Sequence, residues 1–375
     1  MHHYNLDGHT VLLGKNADRL QLLNPLAGYI WKLNQQGEAS EGIAADLSRE
    51  FGVSQKQALQ DVDRAISKWT NELSMAPRPY QQRTSVVPPI GLYSRWCPVV
   101  ETVFALPRFA VRVRYNSRKI ANCLGSILDH LAVDQGNKPD YTIDIVADEK
   151  AYMIIVDGRV TEMANSPEET VVMGFREIVE LGCRHEDWLT ILHAGGVTWK
   201  GQGIVFPSSG GAGKTTLTAA LIQQGFGYIN DDVIPLERGS NKLISLPVNL
   251  CIKPGSWPIL QSFYSQLKHL QSFGRNHVSV KYLPPPRAAI TSGVCTAKYL
   301  ILPRRQSGVV ATLEEISPIE GLRAIVEGDS LLPRPLKPGD VETLIDWVGS
   351  LRCYHLTYDK LLPAVEMIRS GVDSV

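Results

Sequence analysis

The stretch GIVFPSSGGAGKTTLTAALIQQ, residues 203–224, sets the fold of the second half of this chain. Its apolar start, Gly203–Phe206, predicts a strand, and the glycine-rich middle predicts a tight loop. From Lys214 onward, Leu217, Ala220 and Leu221 recur at the spacing of one helix face. A strand, a glycine-rich loop and a helix in this order are typical of α/β proteins, so we expect an α/β fold here.

The loop SSGGAGKTT, residues 208–216, resembles the Walker A pattern G-x-x-x-x-G-K-[ST], with Ser208 at the first glycine position. Glycines let consecutive backbone N–H groups curl around phosphate oxygens at the positive end of a helix. The pattern therefore predicts an ATP site. We expect Lys214 to contact the β and γ phosphates and Thr215 to place its hydroxyl on Mg²⁺. The predicted phosphate-binding residues are Gly210, Gly211, Ala212, Gly213, Lys214, Thr215 and Thr216.

Two adjacent acids, Asp231 and Asp232, end the next predicted strand. Neighbouring carboxylates repel each other, and the arrangement is favourable where one faces Mg²⁺ and the other a substrate proton. We assign Asp232, with Thr215, to the metal, and the sequence leaves open which acid is the general base. His193 ends a predicted strand, Trp188–His193, and is a further catalytic candidate together with Lys214.

The order of His193, the loop at Lys214 and the pair Asp231-Asp232 resembles the catalytic core of HPr kinase/phosphorylase. This resemblance covers residues 96–375 and implies a fold similar to that of phosphoenolpyruvate carboxykinase. It also implies that the histidine and the aspartates surround the transferred phosphoryl group, with one aspartate acting as base on a serine hydroxyl.

A departure from that family changes the expected substrate. HPr kinases carry a glycine-rich signature beyond the aspartates, whereas this chain has Leu246–Trp257 with Lys253 inside it, so HPr is not the expected acceptor. This stretch resembles HPr-kinase-like proteins that modify ribosomally synthesised peptides, including lasso-peptide kinases. Lys253 is an additional candidate for the site.

The first 75 residues carry a second resemblance. LLNPLAGYIW (22–31), IAADL (43–47) and FGV (51–53) are similar to PqqD, a small winged-helix domain that recognises leader peptides. The resemblance implies that the leader adds a strand to a sheet edge beside the third predicted helix. We therefore divide the chain into a PqqD-like domain at 1–75, a proline-rich linker at 76–95 and a catalytic domain at 96–375.

Composition limits the other partners. Lysine plus arginine and aspartate plus glutamate are 38 each, so no overall charge attracts nucleic acid or an anionic membrane. We find no apolar stretch long enough to cross a bilayer and no secretion signal, and expect a cytoplasmic protein.

The six scattered cysteines predict buried free thiols. The stretch Ser265–Tyr282 is predicted to be irregular.

These patterns predict an ATP- and Mg²⁺-dependent kinase acting on a serine or threonine of a ribosomal precursor peptide. Ser208 in the loop favours an alternative, a nucleotide-dependent module that presents the leader without phosphoryl transfer. A carboxykinase acting on a small metabolite shares the loop but leaves the first 75 residues unexplained. The sequence does not decide whether the chain forms a homo-oligomer.

Overall fold

The computed structural model describes residues 2–14, 19–74, 96–134, 136–148, 151–208, 211–275, 278–291 and 293–373. The whole of the predicted linker (76–95), and Ser209 and Gly210 of the predicted phosphate loop, lie outside these ranges.

The N-terminal region is a three-stranded antiparallel sheet followed by three helices. Its elements are β1 (His2–Leu6), β2 (His9–Leu13), β3 (Leu20–Leu23), α1 (Pro25–Gln35), α2 (Ser40–Phe51) and α3 (Gln55–Ser74). Asn24 before Pro25 is a sequence pattern that predicts a helix start, and Asn24 does cap α1, because its side chain accepts a hydrogen bond from the Ala27 N–H. Strand β2 lies in the middle of the sheet, so β1 and β3 are its two outer strands.

Alternation along β2 sends its side chains into two different cores. Leu12 packs among the helices α1–α3. Val11 and Leu13 point the other way and, with Leu6 of β1, join a core built by the second half of the chain. Because successive strand residues face opposite sides, the N-terminal sheet is buried between its own helices and the rest of the molecule.

A six-stranded mixed sheet opens the second region. Its strands and helices are β4 (Val100–Ala105), β5 (Ala110–Tyr115), α4 (Arg118–Leu128), β6 (Ala132–Val133), β7 (Tyr141–Ala147), β8 (Tyr152–Val156), β9 (Arg159–Ala164) and α5 (Pro167–Arg184). The strand order is β6-β4-β5-β7-β8-β9. Helices α4 and α5 share one apolar core with this sheet, so the sheet has a packed face of its own.

The remaining elements build the sheet that carries the candidate site. They are β10 (Trp188–Trp199), β11 (Gln202–Pro207), α6 (Lys214–Gln223), β12 (Gly227–Asn230), β13 (Val233–Glu237), β14 (Lys242–Ile244), β15 (Leu250–Ile252), α7 (Trp257–Leu260), β16 (Ser272–Arg275), β17 (Val278–Leu283), β18 (Val294–Arg305), β19 (Thr312–Ile316), α8 (Pro318–Val326), α9 (Pro338–Gly349), β20 (Arg352–Tyr358) and α10 (Leu361–Asp373). Eight strands form one sheet with the order β11-β10-β13-β14-β18-β20-β19, and β12 pairs with β10. Strands β15, β17 and β16 form a small separate sheet.

Strands β11, β18 and β20 are parallel neighbours. Their carboxyl ends therefore lie at one edge of the sheet, where open α/β sheets commonly bind ligands. The loop from Ser208 to Gly213 leaves the end of β11 at this edge, and Arg305 and Tyr358 end the other two strands.

Three predictions about local structure are wrong. The predicted strand Trp188–His193 does not end at His193 but continues to Trp199 as β10, because Gly195 and Gly196 allow close packing rather than ending the strand. The stretch 265–282 is not irregular throughout, since it contains β16 and most of β17. Ser40 is of a residue type that often caps helices, which predicts a cap there, but it is the first residue of α2, and the residue before it occupies the cap position.

Ser54 followed three residues later by Gln57 predicts a capping box at the start of the third helix, and only part of that motif forms. Ser54 accepts a hydrogen bond from the Gln57 N–H at 3.3 Å, as predicted. The Gln57 amide, however, donates forward to Asp61 at 2.9 Å instead of reaching back to the cap. Only one half of the reciprocal motif is therefore present.

Within the described part of the chain, no helix combines the length and apolar character that crossing a membrane requires. The six cysteines are free, but only Cys353 is fully buried, while Cys97 is exposed and the others are half-buried. The expectation of buried free thiols thus holds fully only for Cys353.

Candidate functional site

The described end of the loop between β11 and α6, residues 211–213, has a backbone conformation that suits anion binding. Gly211 and Gly213 both have φ of +88°, a left-handed conformation that residues with a Cβ rarely adopt. Gly213 is the cap of α6, and Lys214 is the first residue of the helix. The first N–H groups of a helix have no partners within the helix, so they are available to an anion at this end.

Lys214 is directed back over the loop. Its Nζ donates a hydrogen bond to the Ser208 carbonyl at 2.5 Å, which holds the ammonium beside the backbone of the loop. Burial lowers the pKa of Lys214, and this effect is opposed by the negative charges of Asp232 and Asp329. The ammonium therefore lies in a field made mainly by nearby carboxylates.

Close packing of β10 on α6 brings His193 to the same place. A Cβ added to Gly195 would lie 2.5 Å from Thr218 Oγ1 of α6, a distance that real Cβ atoms do not show. The absence of a side chain at Gly195 lets the strand approach the helix. His193 stands two residues before this contact, in the middle of β10, where it pairs with Val233, the residue after Asp232.

Asp231 and Asp232 occupy a turn that is fixed by Asn230. The Asn230 side-chain oxygen accepts hydrogen bonds from the N–H groups of Asp232 and Val233 at 2.8 and 2.9 Å. The Ala194 N–H donates to the Asp232 carbonyl at 3.0 Å, which ties the turn to β10. The two carboxylates consequently have separate and fixed environments.

The Asp231 carboxylate is buried beneath the loop. Tyr228 donates its hydroxyl to Asp231 Oδ1 at 3.1 Å, and the Thr215 side chain is also hydrogen-bonded to this carboxylate. Oδ2 is buried and has no hydrogen-bond partner among the described residues. Burial, followed by the charge of Asp232, raises the pKa of Asp231 to about 6.

Asp232 has the opposite electrostatic environment. His193 Nε2 lies 3.1 Å from Asp232 Oδ1, and this hydrogen bond is the main cause of a lowered pKa for Asp232. The positive charges of His193, Lys214 and Lys253 lower it further. The adjacent acids therefore differ, because one is buried and holds a proton more tightly while the other is stabilised as a carboxylate.

Asp329 is a member of this cluster that the sequence did not reveal. Its Oδ2 lies 3.2 Å from His193 Nδ1, so the imidazole stands between two carboxylates. The segment after α8 is fixed beside β10, since Ile191 and Leu331 exchange backbone hydrogen bonds of 3.0 and 2.8 Å. The His193 N–H also donates to Ser330 Oγ at 3.0 Å.

One cavity of about 830 Å³ joins these groups. Its lining includes the predicted residues His193, Gly211, Ala212, Gly213, Lys214, Thr215, Thr216, Asp232 and Lys253. Asp231 lies under Thr215 rather than on the wall, and Gly210 lies outside the described residues. Thr216 Oγ1 contacts Ser256 Oγ at 2.6 Å, which joins α6 to the opposite side of the cavity.

The described residues contain no group of three or more His, Cys, Asp or Glu side chains arranged to hold a metal ion. Mg²⁺ bound with a nucleotide usually takes only one or two carboxylates, because phosphates and waters supply the other ligands. The buried Asp231 Oδ2 without a partner, next to the Thr215 hydroxyl, is an oxygen set that fits such a cation.

Residues 9–72 match the family model of coenzyme PQQ synthesis protein D (PqqD). The match runs from β2 through most of α3, and it confirms the predicted similarity of the N-terminal region to PqqD. No curated protein matches the sequence.

Among the solved structures that match part of this chain is the Hpr(Ser) kinase/phosphatase from Coxiella burnetii. The similarity covers 49% of this chain and 97% of that chain, with 13% sequence identity and a TM-score of 0.26. At so low a TM-score, the chemistry of the second half has to be inferred from its own side chains.

Proposed function

We propose that this protein is an ATP-dependent kinase that phosphorylates a serine or threonine of a ribosomally synthesised precursor peptide. The observation that carries the proposal is the single cavity in which Lys214 and the left-handed glycine loop face the pair formed by His193 and Asp232. A phosphate cradle on one wall and a carboxylate–histidine pair on another are the two parts that phosphoryl transfer to a hydroxyl requires.

In this proposal the backbone N–H groups of Gly211–Lys214 bind the phosphate oxygens. Lys214 then exchanges its hydrogen bond to the Ser208 carbonyl for contacts to the terminal phosphates. Partial burial favours this exchange, because a charge-assisted hydrogen bond to phosphate is stronger where water is excluded. Stabilisation of the charge that develops on the transferred group is the main contribution of this wall.

Asp232 is the proposed general base. Its carboxylate is ionised through the contact with His193 and lines the cavity, where an acceptor hydroxyl can reach it. His193 Nε2 contacts the carboxylate and orients it, and Asp329 Oδ2 lies 3.2 Å from the other ring nitrogen. The proton of the acceptor hydroxyl moves to Asp232 as the oxygen attacks the γ-phosphorus, and the bond from that phosphorus to the β,γ-bridging oxygen breaks, so that ADP leaves.

Asp231 and Thr215 are the residues we propose for Mg²⁺. The hydrogen bond between their side chains and the unpartnered Asp231 Oδ2 support this assignment, which differs from the sequence-based choice of Asp232. When bound, the ion neutralises charge on the phosphates.

The similarity of residues 9–72 to PqqD supports a peptide as the substrate. By that resemblance the leader segment adds a strand to an outer edge of the N-terminal sheet. Capture of the leader raises the effective concentration of the acceptor to about the millimolar range, so that a weak catalytic site is kept occupied.

Intact-mass measurement tests this function. The full chain is incubated with ATP, Mg²⁺ and each small peptide encoded beside its gene, and a true substrate gains about 80 Da per phosphate. Asp232→Asn should reduce the rate by about 10²- to 10⁴-fold while ATP binding is retained, because only the base is lost. Asp346→Asn, on the exposed side of α9, is the matched control and should leave the rate unchanged.

A peptide that binds only in the presence of ATP and keeps its mass would instead support the presentation module. Full activity in Asp232→Asn would exclude this residue as the base. Ser208, the departure from the Walker A pattern that favours the alternative, is not among the residues that line the cavity; its carbonyl accepts the hydrogen bond from Lys214 and its hydroxyl is buried.

A further inference from the structure

The cavity at the loop is larger than a triphosphate and a metal ion require. Its volume of about 830 Å³ lies in the range of sites that enclose an entire drug-sized ligand. The lining beyond the catalytic groups is largely apolar, with Ile259, Phe263, Leu361, Leu362 and Pro363 as its carbon-rich members. This part of the cavity has no role in phosphoryl transfer.

One apolar wall is attached to the helix that begins at Lys214. Ile259 and Phe263 belong to α7 and the turn after it. Two hydrogen bonds connect the ends of this segment to α6, from Ser256 to Thr216 at 2.6 Å and from the Tyr264 hydroxyl to the Ala219 carbonyl at 2.7 Å. The wall therefore has a fixed position relative to the phosphate loop.

The opposite wall follows the end of β20. Tyr358 ends this strand, and its hydroxyl would lie 3.4 Å from a Cβ placed on Gly213, so the strand end touches the loop itself. Arg305, at the end of the parallel neighbour β18, donates from Nε to the Asp359 carbonyl at 3.3 Å. This contact supports the short connection through Asp359 into α10, whose second residue, Leu362, lines the cavity although half of its surface is exposed.

We infer that the base and ribose of a nucleoside triphosphate bind between these two walls, with the base against Phe263 and Leu362. The inference rests on the proposed function to the extent that the phosphates must lie on the loop of Gly211–Lys214. The site is at the carboxyl edge of parallel strands, where α/β sheets bind nucleotides, and it is continuous with the cradle. Flat aromatic bases stack favourably on aromatic and aliphatic side chains.

Calorimetric titration of the full chain tests the inference without a peptide substrate. The two ligands are Mg²⁺–ATP and Mg²⁺–tripolyphosphate, which share the phosphates and differ in the nucleoside. We expect ATP to bind at least about tenfold more tightly, since base stacking has this order of magnitude. Phe263→Ala should weaken ATP binding by roughly 5- to 100-fold and leave tripolyphosphate binding unchanged.

Two further variants keep the test decisive. Leu362→Ala removes a half-exposed side chain, so it should fold normally and weaken only ATP binding, by a few-fold, because less apolar surface is covered. Phe51→Ala changes an exposed phenylalanine at the end of α2 and is the matched control, with no effect on either ligand.

The outcomes separate this inference from the function on which it rests. Equal affinities of ATP and tripolyphosphate, or equal weakening of both ligands by Phe263→Ala and Leu362→Ala, would overturn the nucleoside site and leave the phosphate loop intact. Failure of both ligands to bind would overturn the loop as well. Selective ATP binding without phosphate transfer to any peptide would support the nucleoside site and overturn only the kinase.

Discussion

Asp231 shows how a buried acid affects both stability and chemistry. Its side chain is hydrogen-bonded to Tyr228 and Thr215, yet burial still raises its pKa to about 6. A carboxyl that binds its proton more tightly in the folded state stabilises the fold fully below its unfolded pKa, near 3.8. This contribution is lost as the pH rises through about 6.

Asp231→Asn should therefore stabilise the protein at pH 7.5 when Mg²⁺ and nucleotide are absent. The free energy of unfolding should rise by on the order of 2 kcal/mol, because asparagine places no charge in this buried position. The gain should shrink as the pH falls below about 6, which thermal unfolding across a pH series will measure. Asp346→Asn, an exposed acid on α9, should show no such trend. A gain that does not vary with pH would contradict this explanation.

Motifs formed by residues close together in the sequence could be predicted more readily than contacts between residues far apart in the sequence. The loop at Lys214 and the adjacent aspartates could be predicted, since each motif is local and its spacing has a chemical meaning. Asp329 could not be predicted, because its contact with His193 depends on how the segment after α8 pairs with β10. Phe263 and Leu362 were missed for the same reason, as neither belongs to a motif.

At the scale of secondary structure, the turn from β11 into α6 depends on its backbone conformation. Gly213 combines a left-handed φ of +88° with a hydroxyl of Tyr358 close to where a Cβ would lie. Gly195 has a different role, since the missing side chain lets β10 approach α6. A strand end was predicted just before Gly195. A glycine in a strand pattern can mean either a break in the strand or close packing, and only the fold distinguishes the two.

Gly213→Ala should lower the affinity for ATP by at least about tenfold, since a left-handed conformation costs an alanine about 1–2 kcal/mol and the cradle shifts to avoid it. Equilibrium binding of ATP is the measurement. Gly125→Ala is the matched control, because Gly125 lies within α4 with open space where its Cβ would be. That change should leave ATP binding unaltered and stabilise the helix by about 0.5–1 kcal/mol. Unchanged ATP affinity in Gly213→Ala would show that the loop does not need this conformation.

Considered as a whole, the molecule has a buried contact between its N-terminal sheet and its second half. The PqqD-like region was predicted from residues 1–75 alone, and its helices fold around Leu12 as a small separate core. Leu6, Val11 and Leu13 could not be assigned in advance, because a strand pattern does not show what covers its second face. They lie in the same core as Leu344 and Trp347 of α9.

Removal of residues 1–74 should therefore destabilise the remainder. Loss of Leu6, Val11 and Leu13 exposes the apolar side chains of the second half that pack against them. This should lower the free energy of unfolding by about 1.5–3 kcal/mol for each of the three, and the thermal midpoint by at least about 5 °C. Differential scanning calorimetry of the shortened and full chains gives the measurement. Adding residues 1–74 as a separate polypeptide should recover part of the loss. Identical midpoints for the two chains would mean that the shared core contributes little.

Helix α8 touches both halves of the molecule. At its start, the Ser317 hydroxyl donates to the Asp7 carboxylate in the turn between β1 and β2. Just past its end, Asp329 contacts His193. Nine residues of helix span only about 13 Å. An engineer who replaces the first 74 residues with another recognition module would have to recreate the Ser317 contact and the apolar face of the N-terminal sheet that packs on the second half. Otherwise α8 would shift, and His193, which contacts Asp329 just past the end of this helix, would be displaced.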